Sequence, residues 1–232
     1  MIRVLDALDP LLNRPFSISF INRKRGWFDI LYRIIGKGTE ILSQRKIGEK
    51  LKILAPLGQG YPEIDRDRAS VFLIGGGIGI APLLSFFETE KNPGIHALFW
   101  GVKSSLEYIN LKGLYPTLRN ITLRLSSEDG SIGTKGTVVE LFRDYMNSNR
   151  SVRTIVYACG PERMLYALHT LCLQAHIPLF VSVESRMACG MGYCLGCALP
   201  RNDGRGYLKV CQDGPVFDST RIDWEKLNNV PR

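Results

Sequence analysis

The spacing of hydrophobic positions changes character twice along these 232 residues. From residue 1 to about 65 the apolar residues come in short runs, "PFSISFIN", "WFDILYRII" and "EKLKILAPLG", separated by Gly, Pro and Asn. "FDILYRI" alternates with the strand period of two, and the turn residues between the runs predict a small antiparallel structure. From about 70 to 183 the runs lengthen. "SVFLIGG", "IHALFWG", "NITLRLSS", "RTIVYACG" and "PLFVSVES" read as strands, and "GIAPLLSFFETEK", "GTVVELFRDYMN" and "PERMLYALHTLCLQAH" as helices between them. Strands that are apolar almost throughout and alternate with helices predict βα units and a parallel sheet covered on both faces. Beyond 184 the periodicity fades while Cys and Gly accumulate, which predicts a loop-built module. The expected divisions are therefore 1–65, 66–183 and 184–232.

Composition narrows the class without naming it. Hydrophobic residues make up 45% and charged residues 22%, the balance of a globular protein. The longest apolar run, "VFLIGGGIGIAPLL" at 71–84, is glycine-broken and too short to span a bilayer. "MIRVLDALDPLLNRPF" carries two early aspartates and no continuous apolar stretch of the kind a signal peptide needs. The expected address is the cytoplasm, away from any membrane. The net charge of +8 comes from scattered Lys and Arg, with no basic run interleaved with aromatics. A solvated basic surface that favours anionic cofactors is expected, and nucleic-acid binding is not.

Two glycine turns point to a dinucleotide. "IGGGIGIAP" follows the first long strand and opens a helix, with Gly75, Gly77, Gly79 and, just inside the helix, Pro82. Glycine lets the backbone turn tightly beside a pyrophosphate, and the N–H groups opening a helix face the anion. The spacing is GxGxxP, an approximate match to the dinucleotide fingerprint. "YACGP" at 157–161 repeats the arrangement at a later strand end, with Cys159, Gly160 and Pro161. Ligands of parallel sheets bind at the carboxyl ends of strands, where both turns belong. Cys159, at a strand end beside Gly160, is expected there too. His96, His169 and His176 are isolated and expected to be structural.

The six cysteines in a reducing compartment speak against a disulfide framework. Four of them, Cys189, Cys194, Cys197 and Cys211, lie in one segment, which points to metal. Zinc modules usually pair two C-x₂-C knuckles. Here the order is C-x₄-C-x₂-C followed by a more distant cysteine, the plant-type ferredoxin spacing for a [2Fe–2S] cluster. Gly190, Gly192 and Gly196 would let the backbone wrap such a cluster and aim amides at its sulfurs. Nicotinamide carries electrons in pairs and a [2Fe–2S] centre takes them singly, so a flavin between them is expected.

"RPFSIS" at 14–19, "LYR" at 31–33, "GKGTEILS" at 36–43, "GGGIGIAP", "YACGP" and "ESRMACGMGYCLGCA…VCQDGPVF" follow one another in an order that resembles the ferredoxin-reductase-like flavoproteins. Among these the chain resembles the electron-transfer subunits of NAD-dependent (type B) dihydroorotate dehydrogenase. The resemblance implies a flavin-binding antiparallel β-barrel, a parallel-sheet nucleotide-binding α/β domain and a C-terminal [2Fe–2S] module. It implies FAD contacts from Arg14, Pro15, Phe16 and Ser17, from Leu31, Tyr32 and Arg33, and from Gly38 and Thr39. Arg14 would meet phosphate, Ser17 the isoalloxazine edge, and Cys159 the nicotinamide. It implies FAD, NAD and a [2Fe–2S] cluster as cofactors, and a hetero-oligomeric partner, the flavin-containing catalytic subunit that oxidises dihydroorotate in pyrimidine biosynthesis. Members of that family carry further strands before the RPxS stretch, so the barrel is expected to lack its usual first strands. A reductase subunit of another complex, such as a hydrogenase or a ferredoxin:NAD(P) reductase, and a non-enzymatic zinc-binding module remain the alternatives. NAD against NADP is open: Lys103 or Ser104, after the second strand, could meet a 2′-phosphate.

Overall fold

A computed structural model of the chain describes residues 1–62, 69–87, 95–149 and 153–228. Its centre is a seven-stranded sheet built from β5 (Ser70–Gly76), β6 (Ile95–Val102), β7 (Leu123–Ser127), β8 (Thr134–Lys135), β9 (Thr154–Cys159), β10 (Leu179–Ser182) and β13 (Val216–Asp218). The spatial order is β13-β10-β9-β5-β6-β7-β8, parallel throughout except for β13, which pairs antiparallel with β10. Every residue of β9, and all of β5 after Ser70, is buried. This is why these two strands are apolar without alternation: both faces of the central strands meet a core.

The two faces divide the side chains by parity. Phe72 and Ile74 face a core with Phe99 of β6 and with Val138, Phe142, Leu165 and Leu168 from α4 (Val138–Ser148) and α5 (Glu162–Gln174). Val71 and Leu73 face the other core with Ile80, Leu83 and Trp100, on the side of α2 (Ile80–Leu84) and α3 (Leu111–Leu114). A capping box starts α4: Thr137 Oγ1 accepts from the Glu140 amide at 3.2 Å while Glu140 Oε2 accepts from the Thr137 amide at 2.7 Å. The helix expected over "GIAPLLSFFETEK" is shorter. It is α2 flanked by 3₁₀ turns at Gly77–Gly79 and Ser85–Phe87, and its last residues lie outside the described ones.

The first section forms two two-stranded antiparallel sheets, β1 (Ile2–Arg3) with β4 (Lys52–Ile53) and β2 (Ile18–Asn22) with β3 (Trp27–Ile30). Short β-prone runs were expected throughout, yet "KGTEILS" is helical, α1 (Lys37–Ser43). Ile41 and Leu42 carry the reason: Leu42 is buried with Ile2 and Val4, and Ile41 packs alongside. A turn of helix delivers this adjacent apolar pair to one small core.

The C-terminal section is loop-rich, as expected, but not separate. A hairpin of β11 (Ala198–Pro200) and β12 (Tyr207–Lys209) buries Leu199 and Leu208 in the same core as α4 and α5. α6 (Trp224–Asn228) adds Trp224 and Leu227 to it. β13, the "VF" of "DGPVF", extends the main sheet, so the cysteine segment is held at both ends by the nucleotide half.

Candidate functional site

The sheet order changes direction between β5 and β9: from β5 the chain builds outward through β6 to β7, then returns to β9 on the other side. Such a switch point leaves a crevice at the carboxyl ends of the two strands. In register, Gly75 of β5 faces Cys159 of β9, so the two glycine turns emerge side by side. They touch closely enough to require glycine. A Cβ on Gly79 would come within 2.4 Å of the Cys159 carbonyl oxygen and 2.7 Å of Gly160 Cα. One on Gly160 would come within 3.1 Å of Gly76 Cα. Gly77 has φ +53°, and its carbonyl accepts from Trp100 Nε1 at 2.9 Å. A Cβ there would meet nothing nearer than Glu107 Oε2 at 3.9 Å, so this face of the turn is open. Pro82 lies in α2 and Pro161 caps α5. The structure thus brings Gly75, Gly77, Gly79, Pro82, Gly160 and Pro161 to one edge, and the turn fits a pyrophosphate.

Cys159 sits at that edge but is buried, 2% exposed. Burial, and then the Glu184 carboxylate, push its thiol up to about 12, while a hydrogen bond with Ser182 opposes them. It stays a neutral thiol, unsuited to nucleophilic work. Glu184 is a residue that the sequence reading passed over. Its own carboxyl is raised by desolvation. An acidic residue just past the end of β10, on the strand edge that carries both glycine turns, was the available signal.

On the flavin side Arg14 lies across the first turn of α1: a Cβ on Gly38 would meet Arg14 Nε at 2.6 Å. Arg14, far in sequence from Gly38 and Thr39, is their neighbour in space. The Thr39 hydroxyl is spent locally. It accepts from the amides of Ile35 (3.0 Å) and Gly36 (3.2 Å) and donates to the Gly36 carbonyl (2.9 Å). What remains for a phosphate is the Arg14 guanidinium, which also donates to the Leu12 carbonyl, and the backbone amides that open α1. Phe16 and Tyr32 pack edge to face at 5.5 Å. Pro15 and Ser17 are exposed, Leu31 packs against the nucleotide-side core, and Arg33 pairs with Glu107 at 3.2 Å. The cradle fits the phosphate end of a flavin dinucleotide.

The four cysteines come together. Cys197 and Cys211 are buried with sulfurs 3.3 Å apart. Cys189, half-buried, and the exposed Cys194 lie beside each other on the loop, and the charge of Cys189 also reaches Cys211. Among the described residues no three His, Cys, Asp or Glu side chains converge on a single point. Four thiols on one segment with loop amides aimed at their sulfurs fit a [2Fe–2S] cluster. Loop amides serve the sulfurs: Met191 donates to Cys189 at 3.4 Å and Gly192 to Cys211 at 3.2 Å. The Met191 amide, then Cys194 and the Tyr193 amide, bring the Cys189 thiol down to about 6, whereas burial and then the neighbouring Cys197 raise Cys211 to about 11 against the opposing Gly192 amide. Gly190 and Gly192 have positive φ, the conformation that favours glycine, and a Cβ on either would have to displace the Met1 or Gln212 side chain respectively.

Two of the histidines make side-chain contacts outside the site. His96 meets the Tyr145 hydroxyl at 2.8 Å, and His169 meets the Ser219 hydroxyl at 3.0 Å, tying α5 to the C-terminal section.

Known proteins share this arrangement. Residues 184–223 match the iron-sulfur cluster binding domain of dihydroorotate dehydrogenase B, and residues 73–170 match the oxidoreductase NAD-binding domain. The electron transfer subunit of dihydroorotate dehydrogenase B (NAD(+)) from Desulforamulus reducens is 35% identical over 227 residues, 97% of this chain and 85% of that relative. The chain belongs to this family. The subunit of the same name from Clostridium acetobutylicum is 36% identical over 219 residues, 90% of this chain and 79% of the relative. A solved structure of NADH-dependent reduced ferredoxin-NADP oxidoreductase, described for flavin-based electron bifurcation, has a TM-score of 0.75 at 26% identity. It covers 94% of this chain and 76% of that one. The zinc-module alternative has no counterpart in these matches. Among the described residues no helix is long and apolar enough to cross a membrane.

Proposed function

We propose that this chain is the electron-transfer subunit of an NAD-dependent dihydroorotate dehydrogenase, an oxidoreductase subunit working in the cytoplasm on pyrimidine biosynthesis. The observation that carries the reading is the gathering of Cys189, Cys194, Cys197 and Cys211 on an amide-lined loop anchored to the nucleotide sheet. Dihydroorotate is oxidised to orotate in a separate catalytic subunit, and its two electrons leave as a hydride on NAD⁺. A [2Fe–2S] cluster held by Cys189, Cys194, Cys197 and Cys211 would carry the electrons singly, and an FAD held at Arg14 and the opening amides of α1 would pair them.

In this reading residues 1–65 hold the flavin, 66–183 the NAD and 184–232 the cluster. Arg14 and the opening amides of α1 bind FAD phosphate, with Pro15, Phe16, Ser17, Leu31, Tyr32 and Arg33 along the cofactor. The Gly75–Gly79 turn and Gly160 bind the dinucleotide, and Cys159 backs the nicotinamide as a neutral thiol. The catalytic subunit docks over the cluster loop. Met191, Tyr193 and Leu195 there are 50%, 84% and 60% exposed. Leu195 holds φ +56°, an uncommon conformation for leucine, between Cys194 and Gly196. Backbone strain that presents an apolar side chain to water beside the cluster is consistent with a protein contact.

The test is anaerobic purification followed by visible spectra with and without dithionite. Flavin bands together with broad iron–sulfur absorption, both bleaching on reduction, are expected. A colourless chain that contains zinc without iron or acid-labile sulfide would overturn the reading. A reductase subunit of another complex would give the same spectra, so dihydroorotate is then added with the catalytic subunit. Dihydroorotate-dependent NAD⁺ reduction is expected only with both chains present.

A further inference from the structure

The flavin-side and nucleotide-side halves meet through apolar contacts, such as Phe20 against Tyr115 with ring centroids 5.8 Å apart and Leu31 in the nucleotide-side core, and through hydrogen bonds of Ser19 with Tyr115 at 3.4 Å and of Tyr61 to the Ala158 carbonyl at 3.1 Å. Among the described residues a charged contact also crosses between the halves, at the crevice itself. Arg33, just after β3, meets Glu107 Oε1 at 3.2 Å. The other oxygen of that carboxylate accepts from the Lys103 amide at 3.1 Å and rims the open face of the Gly77 turn. Glu107 is itself held. It lies on a 3₁₀ turn, Ser105–Glu107, capped by Ser104, whose hydroxyl accepts from the Leu106 amide. Its side chain is 20% exposed against 54% for Arg33, so the carboxylate is the fixed partner and the guanidinium the one being placed.

Lys103 and Ser104, the residues that could have met a 2′-phosphate, therefore shape the seat of a carboxylate. A carboxylate beside an anion-binding turn does not favour a pyrophosphate, so affinity is a poor reason for its presence. Direction is a better one. We propose that Glu107 is a positioning residue for hydride transfer: by holding Arg33 it sets the flavin-binding segment at a fixed distance from the Gly77 turn that holds the dinucleotide. Hydride transfer needs the reacting atoms about 3–3.5 Å apart and aligned, and an ion pair to a carboxylate that is itself held by a backbone amide adds a polar constraint at the crevice to the apolar packing. This inference rests on the function proposed above.

The experiment uses the full-length, flavin-loaded chain as wild type, Glu107→Gln, Arg33→Met and the double variant. NADH affinity is measured by titration, the limiting rate of flavin bleaching by rapid mixing under anaerobic conditions, and nicotinamide–flavin stacking by long-wavelength charge-transfer absorbance. Glu107→Gln is expected to slow the limiting rate about tenfold or more and weaken the charge-transfer band, with NADH affinity within about threefold of wild type. The double variant should be no slower than the slower single one, because the two residues act as one contact. An unchanged rate and band in Glu107→Gln would overturn the inference. So would additive losses in the double variant, or weaker NADH binding at an unchanged limiting rate. If NADH fails to bleach even the wild type, the functional reading falls and takes this inference with it. A wild type that bleaches beside an indifferent Glu107→Gln removes this inference alone.

Discussion

The two halves that meet at the crevice are built to different standards. The nucleotide half, with the cluster section attached, has a seven-stranded sheet covered on both faces, and one of its two cores continues into the β11–β12 hairpin and α6. The flavin half has two two-stranded sheets and a core whose buried members are Ile2, Val4 and Leu42. It also exposes large apolar side chains: Leu8 at 83%, Ile35 at 82% and Ile34 at 61%. Two-stranded sheets are marginal alone, so the flavin half depends on what it packs against, including the Arg33–Glu107 contact. The cluster section escapes this weakness despite its loops, because β13 and α6 enlist it in the larger core.

The contrast can be broken most severely by core truncation. Phe142 is fully buried, edge to face with Phe99 at 5.3 Å and with Phe72 at 5.7 Å. Phe142→Ala is expected to cost about 3–5 kcal/mol, lowering the denaturation midpoint of the sheet and the iron content together. Leu42→Ala removes less, about 2–3 kcal/mol, and should loosen flavin retention while leaving iron content and the main unfolding transition nearly in place. Equal losses of flavin and iron from both variants would show that the halves unfold as one unit.

A smaller effect is expected at the seam between the glycine turns. Gly79→Ala places a methyl group against the Cys159 carbonyl and Gly160, backbone that cannot swing aside. Overpacking of this kind costs about 1–3 kcal/mol, and the distortion should weaken NADH binding in a titration while leaving the iron–sulfur spectrum unchanged.

The smallest effect is a slope. Cys172, buried on α5 facing the sheet, has its thiol pushed by desolvation from 9.0 to about 12. Above pH 9 the unfolded chain releases this proton while the folded chain keeps it, so the folded state binds more protons and stability falls as pH rises from about 9 toward 12. Cys172→Val removes up to one proton from that difference, flattening the decline by up to about 1.4 kcal/mol per pH unit. Urea unfolding between pH 8 and 10 measures it. Parallel slopes for variant and wild type would place this thiol in water.

The sequence by itself determined the elements whose cause is local. Continuous apolar runs give β5 and β9, since a strand covered on both faces has no polar side to show. The two glycine turns and the C-x₄-C-x₂-C segment are legible because close backbone approach and cluster wrapping both require residue types that few other tasks demand. Tertiary structure decided what depends on distant partners. α1 is helical because Ile41 and Leu42 are claimed by the small core of Ile2 and Val4, which no short-range period announces. "VF" of "DGPVF" became a strand of the main sheet because β10 offered it an open edge. Glu184 and Glu107 took their places only when the strand ends were brought together, one beside Cys159 and the other between Arg33 and Gly77. A carboxylate on a turn carries no periodicity of its own. Its meaning comes from the charge it faces, and that neighbour is chosen by the packing of the whole sheet.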